Sequence, residues 1–310
     1  MEKTRLIVVA GPTASGKTTL AIELAKRLDG EIVSADSMQI YKYMDIGSAK
    51  PTAEEQAEIP HHLIDFLEPD AEWSVANYTE AAHKTIAEIA ARKKMPVMVG
   101  GTGLYINSVV NDVSFGEIDT DYQIREQLQE IADNEGGEKL IEMLREFDPD
   151  AAKTLHPNNV RRIIRAIEFY RVTGTPISKH QEMTRQVETR YNPTMFLIDW
   201  DREELYERIN LRVDLMIKDG LLDEVKRLMD MGYTKDLNSM KGIGYKELID
   251  YFNGEYSLDE AINLIKQSSR RYAKRQLTWF RRDERIHWLD AHGNPVEEAM
   301  KILQMQDNHT

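Results

Sequence analysis

The stretch that most limits how this chain can fold lies near its start, where residues 6–19 read LIVVAGPTASGKTT. Leu6 to Ala10 is short, continuous and apolar, the pattern of a strand buried on both faces. Gly11, Pro12, Thr13, Ala14, Ser15, Gly16, Lys17 and Thr18 then spell G-x-x-x-x-G-K-T, and Leu20, Ile22, Leu24, Ala25 and Leu28 continue as one helical face until Gly30. A strand that breaks into glycines and feeds a helix aims several backbone N–H groups, and the positive end of the helix dipole, at one point. Lys17 adds a full charge there, and the Thr18 hydroxyl can hold a divalent cation. The chain therefore begins as strand, phosphate-binding loop and helix. Which phosphates the loop holds is left open.

Strand-like runs at 31–35, 62–66 and 96–99, with a helical pattern over 76–92, continue the alternation. Alternating β and α predicts an α/β fold of the P-loop NTPase-like kind, a parallel sheet with flanking helices. From about Val113 the texture changes: residues 117–150 are acidic, poor in β-branched residues and helical in period. Helical character continues over 160–173 until Gly174-Thr175-Pro176 breaks it. A strand returns at 195–200, Asp201 is placed to cap the helix that follows, Gly220 to end it, and 286–289 to supply a last strand. The expected organisation is a core over 1–114 and 196–292, a helical insertion domain over 115–195, and a C-terminal helix and tail over 293–310; a length of 310 residues suits about two domains.

Composition narrows the function classes. The chain has no cysteine, which excludes disulfides, thiolate zinc sites and cysteine nucleophiles. Its apolar runs are strand-length and nothing resembles a signal peptide, so a cytoplasmic protein without membrane contact is expected, with a monomer as the expected state. A formal net charge of −13 argues against indiscriminate nucleic-acid binding, but leaves room for a nucleic-acid ligand where positive charge is concentrated.

Ligands of an open parallel sheet bind beyond the carboxyl ends of its strands. The second strand ends at Ser34-Ala35-Asp36-Ser37-Met38-Gln39. Asp36 at that rim can accept a proton, hold a metal ion, or cap its own turn. The fourth ends at Gly100-Gly101-Thr102-Gly103, where a Walker-type ATPase carries a Mg²⁺-holding aspartate. These glycines bring backbone close to a ligand with Thr102 as a hydrogen-bond donor, or make a tight turn into a helix. Three basic stretches follow. Arg161, Arg162 and Arg165 lie among Ile163, Ile164 and Ile167 on one helix, and Lys241-Gly242-Ile243-Gly244-Tyr245-Lys246 is a glycine-interrupted turn. Residues 266–285 hold eight basic side chains against two acidic ones, a local charge of +6. Within them Arg270 and Lys274, and Arg271 and Arg275, stand one helical turn apart. A charge run is ordinarily a solvated face; concentrated against an acidic background it favours phosphate-backbone binding. Tyr272, Trp279 and Phe280 can stack bases or fill core. His61 and His62, adjacent before a strand, point to opposite sides and do not suggest a shared metal.

Taken in order, GPTASGKT at 11–18, SADSMQIY at 34–41, GSAKPT at 47–52, HHLID at 61–65, GGTGLY at 100–105, RRIIRAIE at 161–168, KGIGYKE at 241–247 and YAKRQLTWFR at 272–281 resemble the tRNA dimethylallyltransferases, or tRNA isopentenyltransferases, over most of the chain. Lacking the C-terminal zinc finger of eukaryotic relatives, it resembles the bacterial form. The resemblance implies transfer of a dimethylallyl group from dimethylallyl diphosphate to N6 of the adenosine 3′-adjacent to the anticodon of tRNA, with diphosphate released and Mg²⁺ required. It implies Asp36 as the base, Thr102 as an aid in fixing the reacting groups, Lys17 and the rest of Gly11–Thr18 around the diphosphate, and Thr18 on Mg²⁺. It further implies that the tRNA anticodon stem-loop meets Asp36, Ser37, Met38, Gln39, Thr102, Arg125, Arg161, Arg162, Ile163, Ile164, Arg165, Lys241, Gly242, Ile243, Gly244, Tyr245, Lys246 and the span from Ser269 to Gln276, with Arg270, Arg271, Lys274 and Arg275. Arg208 or Arg212, after the fifth strand, is a further candidate for the diphosphate. The competing reading is a P-loop small-molecule kinase, which also uses an acid beside the loop but has no use for the basic helix.

Overall fold

The computed structural model describes residues 3–113, 121–185 and 189–308. The chain divides into two compact units, Met1–Val110 with Arg190–Thr310, and Asn111–Thr189. The first unit opens with β1 (Thr4–Ala10), α1 (Lys17–Arg27), β2 (Gly30–Ser34), α2 (Ala53–Glu58), β3 (His61–His62), α3 (Val75–Ala91), β4 (Met95–Gly100) and α4 (Gly103–Val110). The second unit holds α5 (Tyr122–Glu135), α6 (Gly137–Arg145), α7 (Pro149–Thr154), α8 (Val160–Thr173) and α9 (Ile177–Arg185). The chain then returns with β5 (Tyr191–Asp199), α10 (Arg202–Lys218), α11 (Leu221–Asp230), α12 (Tyr245–Phe252), α13 (Leu258–Phe280), β6 (Ile286–Asp290) and α14 (Pro295–Asp307).

The strands form one six-stranded parallel sheet in the order β3-β2-β4-β1-β5-β6. Leu6 to Ala10 of β1 are fully buried, as their unbroken apolar pattern requires of a strand covered on both faces. Alternation divides them: Leu6, Val8 and Ala10 pack with Tyr78, Ile86 and Val109 of α3 and α4, whereas Ile7 and Val9 pack with Leu20, Leu24 and Leu303 of α1 and α14. The connections leaving the neighbouring strands β1 and β4 run to opposite sides of the sheet, β1 toward β2 and β4 toward β5, which opens a crevice at their carboxyl ends.

Two strand expectations need correction. The run expected as a strand over 62–66 pairs only at His61 and His62, because Leu63 (φ 60°) and Asp65 (φ 55°) leave the extended region. The strand expected from Met195 begins at Tyr191, in spite of Pro193. Pro193 pairs with Leu6 on one flank, but β6 joins only from Met195, so the other flank is still an edge there, where proline is tolerated.

In the second unit Leu128 of α5, Leu140, Ile141 and Leu144 of α6, and Ile163, Ile164 and Ile167 of α8 make one buried cluster. Asp148, nearly inaccessible, caps α7 through Ala151 N–H at 3.0 Å and accepts from Ser178 N–H at 3.0 Å at the start of α9. The expected boundary at 114–115 and the helical pattern at 117–120 lie outside the described residues.

Candidate active site

The loop after β1 is held from several directions. Ser15 Oγ donates to the Pro12 carbonyl at 2.9 Å and Trp200 Nε1 to the Ser15 carbonyl at 2.9 Å. Ala14 takes φ 63°, a strained value for a residue with a Cβ, and its carbonyl accepts Arg208 Nε at 2.9 Å. The Arg208 guanidinium lies over the Trp200 ring, 4.2 Å from its centroid. Gly16 (φ 86°) precedes the first turn of α1, where no side chain caps the helix and no acidic residue sits. The free N–H groups of that turn face a position suited to an anion. Thr18 lies in the same turn, half-buried.

Adjacent strands bring Asp36 and Thr102 to this rim, and α13 brings Gln276. Asp36, past the end of β2, uses Oδ1 to accept its own Met38 N–H at 2.9 Å, so it does cap its turn. A carboxylate retains a second oxygen for other work. Thr102 Oγ1 accepts the Ser37 N–H at 3.1 Å, which ties the turn after β4 to the turn carrying Asp36. Gly100 sits so close to that turn that a Cβ on it would stand 2.1 Å from the Ala35 carbonyl oxygen. From α13, Gln276 reaches both loops, donating Nε2 to the Gly101 carbonyl at 2.8 Å and accepting Thr13 N–H at 3.4 Å through Oε1. Gln276, expected among the tRNA contacts, is 6% exposed and joins the phosphate loop to the Gly100–Gly103 turn.

Two half-buried cations share this place with Asp36. Burial, and then the neighbouring Arg212 charge, lower the Lys17 ammonium to about 8, with Asp36 opposing. Burial also lowers Arg212, and Asp36 again opposes. Lys17 Nζ donates to Pro12 O at 3.2 Å, and the buried Arg212 Nε has no hydrogen-bond partner among the described residues. Of the two arginines left open by the sequence, Arg208 braces the outside of the loop and Arg212 faces the charged interior. Tyr105 and Tyr272 also feel Asp36; burial is the main cause that raises them, Tyr272 to about 12.

The basic stretches separate into exposed and committed groups. Arg161 and Arg162 are exposed on α8, but Ile163 and Ile164 are 0% and 6% exposed within the core of the second unit, so their side chains cannot meet a nucleic acid. Arg125 donates Nε and Nη2 to Glu168 at 2.9 and 3.1 Å, and Arg165 donates Nη1 to the same buried carboxylate at 2.9 Å. Arg125, expected as a tRNA contact, is thus held in an ion pair with Glu168 while 40% of its side chain stays exposed, and Arg165 shares that carboxylate. Tyr245, 1% exposed, donates its hydroxyl to Glu224 at 2.7 Å. Gly242 packs on Met38, so the 241–246 turn supports the Asp36 loop, with Lys241 and Lys246 left at the surface. On α13, Arg270 donates to Asn210 of α10. Arg271, Lys274 and Arg275 are exposed, and among the described residues no acidic group pairs with them. Sequence reasoning missed Glu168 and Glu224, each an acid on an otherwise apolar helix face, and the double reach of Gln276.

The family model for IPP transferase matches residues 39–283. The chain is 53% identical over 285 residues to a tRNA dimethylallyltransferase of Acetivibrio thermocellus, covering 92% of this chain and 91% of that one. The full-length tRNA isopentenylpyrophosphate transferase of Bacillus halodurans superposes with a TM-score of 0.73 at 44% identity, over 99% of this chain and 96% of that one. A eukaryotic dimethylallyltransferase acting on tRNA superposes with a TM-score of 0.80 at 28% identity, over 94% of this chain and 74% of that one. With the match spanning both units and the phosphate loop lying within the aligned relatives, the chain belongs to the IPP transferase family.

Proposed function

We infer that this protein is a tRNA dimethylallyltransferase, moving the dimethylallyl group of dimethylallyl diphosphate onto N6 of the adenosine 3′-adjacent to the anticodon. The observation that carries the reading is the placing of Asp36 beside a phosphate loop whose helix start is uncapped and whose two cations, Lys17 and Arg212, are half-buried. The turn after β4 offers Gly100-Gly101-Thr102 and no acid, unlike the metal-holding end of a Walker-type ATPase strand.

When the allylic carbon–oxygen bond breaks, its electron pair leaves with the diphosphate, and the loop N–H groups, Lys17 and Arg212 meet the growing negative charge. The amine nitrogen forms the new bond to carbon and gives up a proton, for which the Asp36 carboxylate is the acceptor. Thr102 and Gln276 hold the two turns at a fixed spacing while this happens. The adenine has to leave its stack to present N6, as in other enzymes that modify a base. Among the described residues no three His, Cys, Asp or Glu side chains gather to cage a metal. The Thr18 hydroxyl beside the uncapped start of α1 fits Mg²⁺, which takes most of its ligands from phosphate and water. Thr18 would hold it, and it would neutralise diphosphate charge. Among the described residues no helix is long and apolar enough to cross a membrane. A monomer remains our proposal for its state.

Incubation with labelled dimethylallyl diphosphate and unmodified tRNA is expected to place label in the tRNA, with no consumption of ATP. In Asp36→Ala the single-turnover rate is expected to fall at least a hundredfold, with tRNA affinity within about threefold of the parent. Unlabelled tRNA together with ATP hydrolysis coupled to a small acceptor overturns the reading in favour of a kinase.

A further inference from the structure

Phe280 is buried at 2%, as a core aromatic should be, but its neighbour Trp279 is 39% exposed. One edge of that indole is fixed: a Cβ on Gly103, at the start of α4, would stand 2.4 Å from Trp279 Cδ1 and 2.5 Å from Nε1. Gly103 therefore admits the indole, and Gly103 follows Thr102, the residue that ties down the Asp36 turn. The rest of the ring faces a concavity lined by Arg271, Lys274, Arg275, Thr278, Trp279 and Arg282. All six are exposed, and among the described residues none of the four cations pairs with an acid.

The order along the helix is informative. Arg275 precedes Trp279 by four residues and Arg282 follows it by three, with Arg282 N–H bonded to the Trp279 carbonyl at 3.3 Å. Arg275 and Trp279 stand one helical turn apart on α13, about 6 Å along its axis, the Arg275 guanidinium lying 5.5 Å from the Tyr272 ring centroid, and Arg282 lies in the turn that follows the helix. Cation, aromatic ring, cation in that order suits a single-stranded backbone with a base turned inward between two phosphates.

We propose that Trp279 is a stacking platform for an unpaired nucleobase of the RNA, one that flanks the adenosine undergoing reaction, with Arg275 and Arg282 on the adjoining phosphates. This rests on the tRNA reading of the site. It goes beyond a basic helix gripping phosphates, because it assigns a base-binding position to one side chain and predicts its chemistry: any planar base is accepted and an absent base is not.

Binding of an anticodon stem-loop RNA to the full chain, measured by fluorescence anisotropy without dimethylallyl diphosphate, tests it. Trp279→Leu is expected to weaken binding about tenfold, and Trp279→Phe, which keeps a stacking face, less than about threefold. Replacing the flanking nucleotide by an abasic one is expected to cost the parent about the same tenfold and to cost Trp279→Leu almost nothing further. The KM for dimethylallyl diphosphate should be unchanged in both variants. Equal losses in the Phe and Leu variants, or an abasic penalty as large in Trp279→Leu as in the parent, overturn the proposal and leave Trp279 as packing for Gly103. Because binding is read without the second substrate, RNA that binds with this signature but takes no label overturns the reaction assigned above and not the platform.

Discussion

Lys17 has to hold a charge where burial and the Arg212 guanidinium both oppose it, and its pKa near 8 follows. The free enzyme is competent for the diphosphate only while Lys17 is protonated. Accordingly kcat/KM for dimethylallyl diphosphate is expected to be flat in this limb below about pH 8 and to fall toward tenfold per unit above it. Lys17→Arg should remove that limb, since a guanidinium stays charged, although with lower activity throughout; a limb that persists in the arginine variant assigns it to another group. The same shift enters folding with the opposite sign from a salt bridge. Between about 8 and the ordinary 10.5 the unfolded chain binds the extra proton, so this group makes the protein more stable as pH rises through that window. The neighbouring arginines allow a sharper separation. Arg212→Ala is expected to raise the KM for dimethylallyl diphosphate by about thirtyfold or more with tRNA binding intact. Arg208→Ala, which frees the Ala14 carbonyl and uncovers Trp200, should instead lower thermal stability, and kcat with it. Steady-state kinetics beside a thermal melt distinguish the two, and equal KM effects would refute the division. The sequence could not choose between arginines one helical turn apart, both on the helix after β5. The choice is made by a strained Ala14, and nothing in the motif G-x-x-x-x-G-K-T announces a positive φ at that position.

At the scale of elements, α11 carries an acid where its amphipathic face calls for an apolar residue: Leu221, Glu224, Val225 and Leu228 are all buried. The Glu224 carboxylate accepts the successive N–H groups of Asp45, Ile46 and Gly47 at 2.9, 2.8 and 3.0 Å, and the Tyr245 hydroxyl at 2.7 Å. The segment it gathers in turn receives Gln39, whose Nε2 donates to the Ala49 carbonyl at 3.0 Å and whose Oε1 accepts Ser34 Oγ at 3.1 Å, two residues before Asp36. A line of hydrogen bonds thus runs from α11 and α12 to the base of the site, which makes Glu224 a positioning residue. Glu224→Gln turns an amide NH₂ toward three N–H donors. It is expected to lose about 1–3 kcal/mol in urea unfolding, and to lower kcat more than the KM for dimethylallyl diphosphate. Tyr245→Phe, which removes one donor, should cost about 1 kcal/mol. If both variants melt early but keep the parental kcat, the network is only structural. This also shows what was legible in the sequence and what was not. Apolar runs located β1, β2, β4 and β6, and period located α3 and α8 to within a residue. The 62–66 run failed because Leu63 and Asp65 adopt positive φ for tertiary reasons, Asp65 being held by Lys50 at 2.7 Å and through its N–H by Gln39. Glu168 and Glu224 could have been found as acids on apolar faces, and Arg165 stands one turn before Glu168, but Arg125 lies 43 residues from Glu168 and the N–H donors to Glu224 lie 177–179 residues from it, beyond any local pattern.

For the molecule as a whole, the formal charge of −13 and the +6 of residues 266–285 set a problem that only the distribution of charge resolves. A polyanion is repelled by most of such a surface, so its affinity has to come from a few unpaired cations that displace its counterions. The structure sorts the cations accordingly. Arg125 and Arg165 share Glu168, Lys235 pairs with Asp250, and Lys266 pairs with Asp214 at 2.6 Å, whereas Arg271, Lys274, Arg275 and Arg282 have no acidic partner among the described residues. Only the second group should appear in the salt dependence. Each neutralised phosphate contact lowers the slope of log K against log salt by about 0.7 to 0.9. Arg271→Gln combined with Arg275→Gln is therefore expected to flatten that slope for tRNA by about 1.4 to 1.8. Lys235→Gln, which removes one formal charge, half of that lost in the double variant, from the pair with Asp250, should leave the slope unchanged, and Arg125→Gln should change it by less than half of one contact. The comparison is informative because all these substitutions alter net charge in the same direction. If the slope follows net charge alone, flattening equally for Lys235 and for Arg271, then the field of the whole protein governs binding and the α13 ridge is a solvated face. If it follows the unpaired residues, recognition is local, and an acidic protein can hold an RNA without attracting nucleic acid at large.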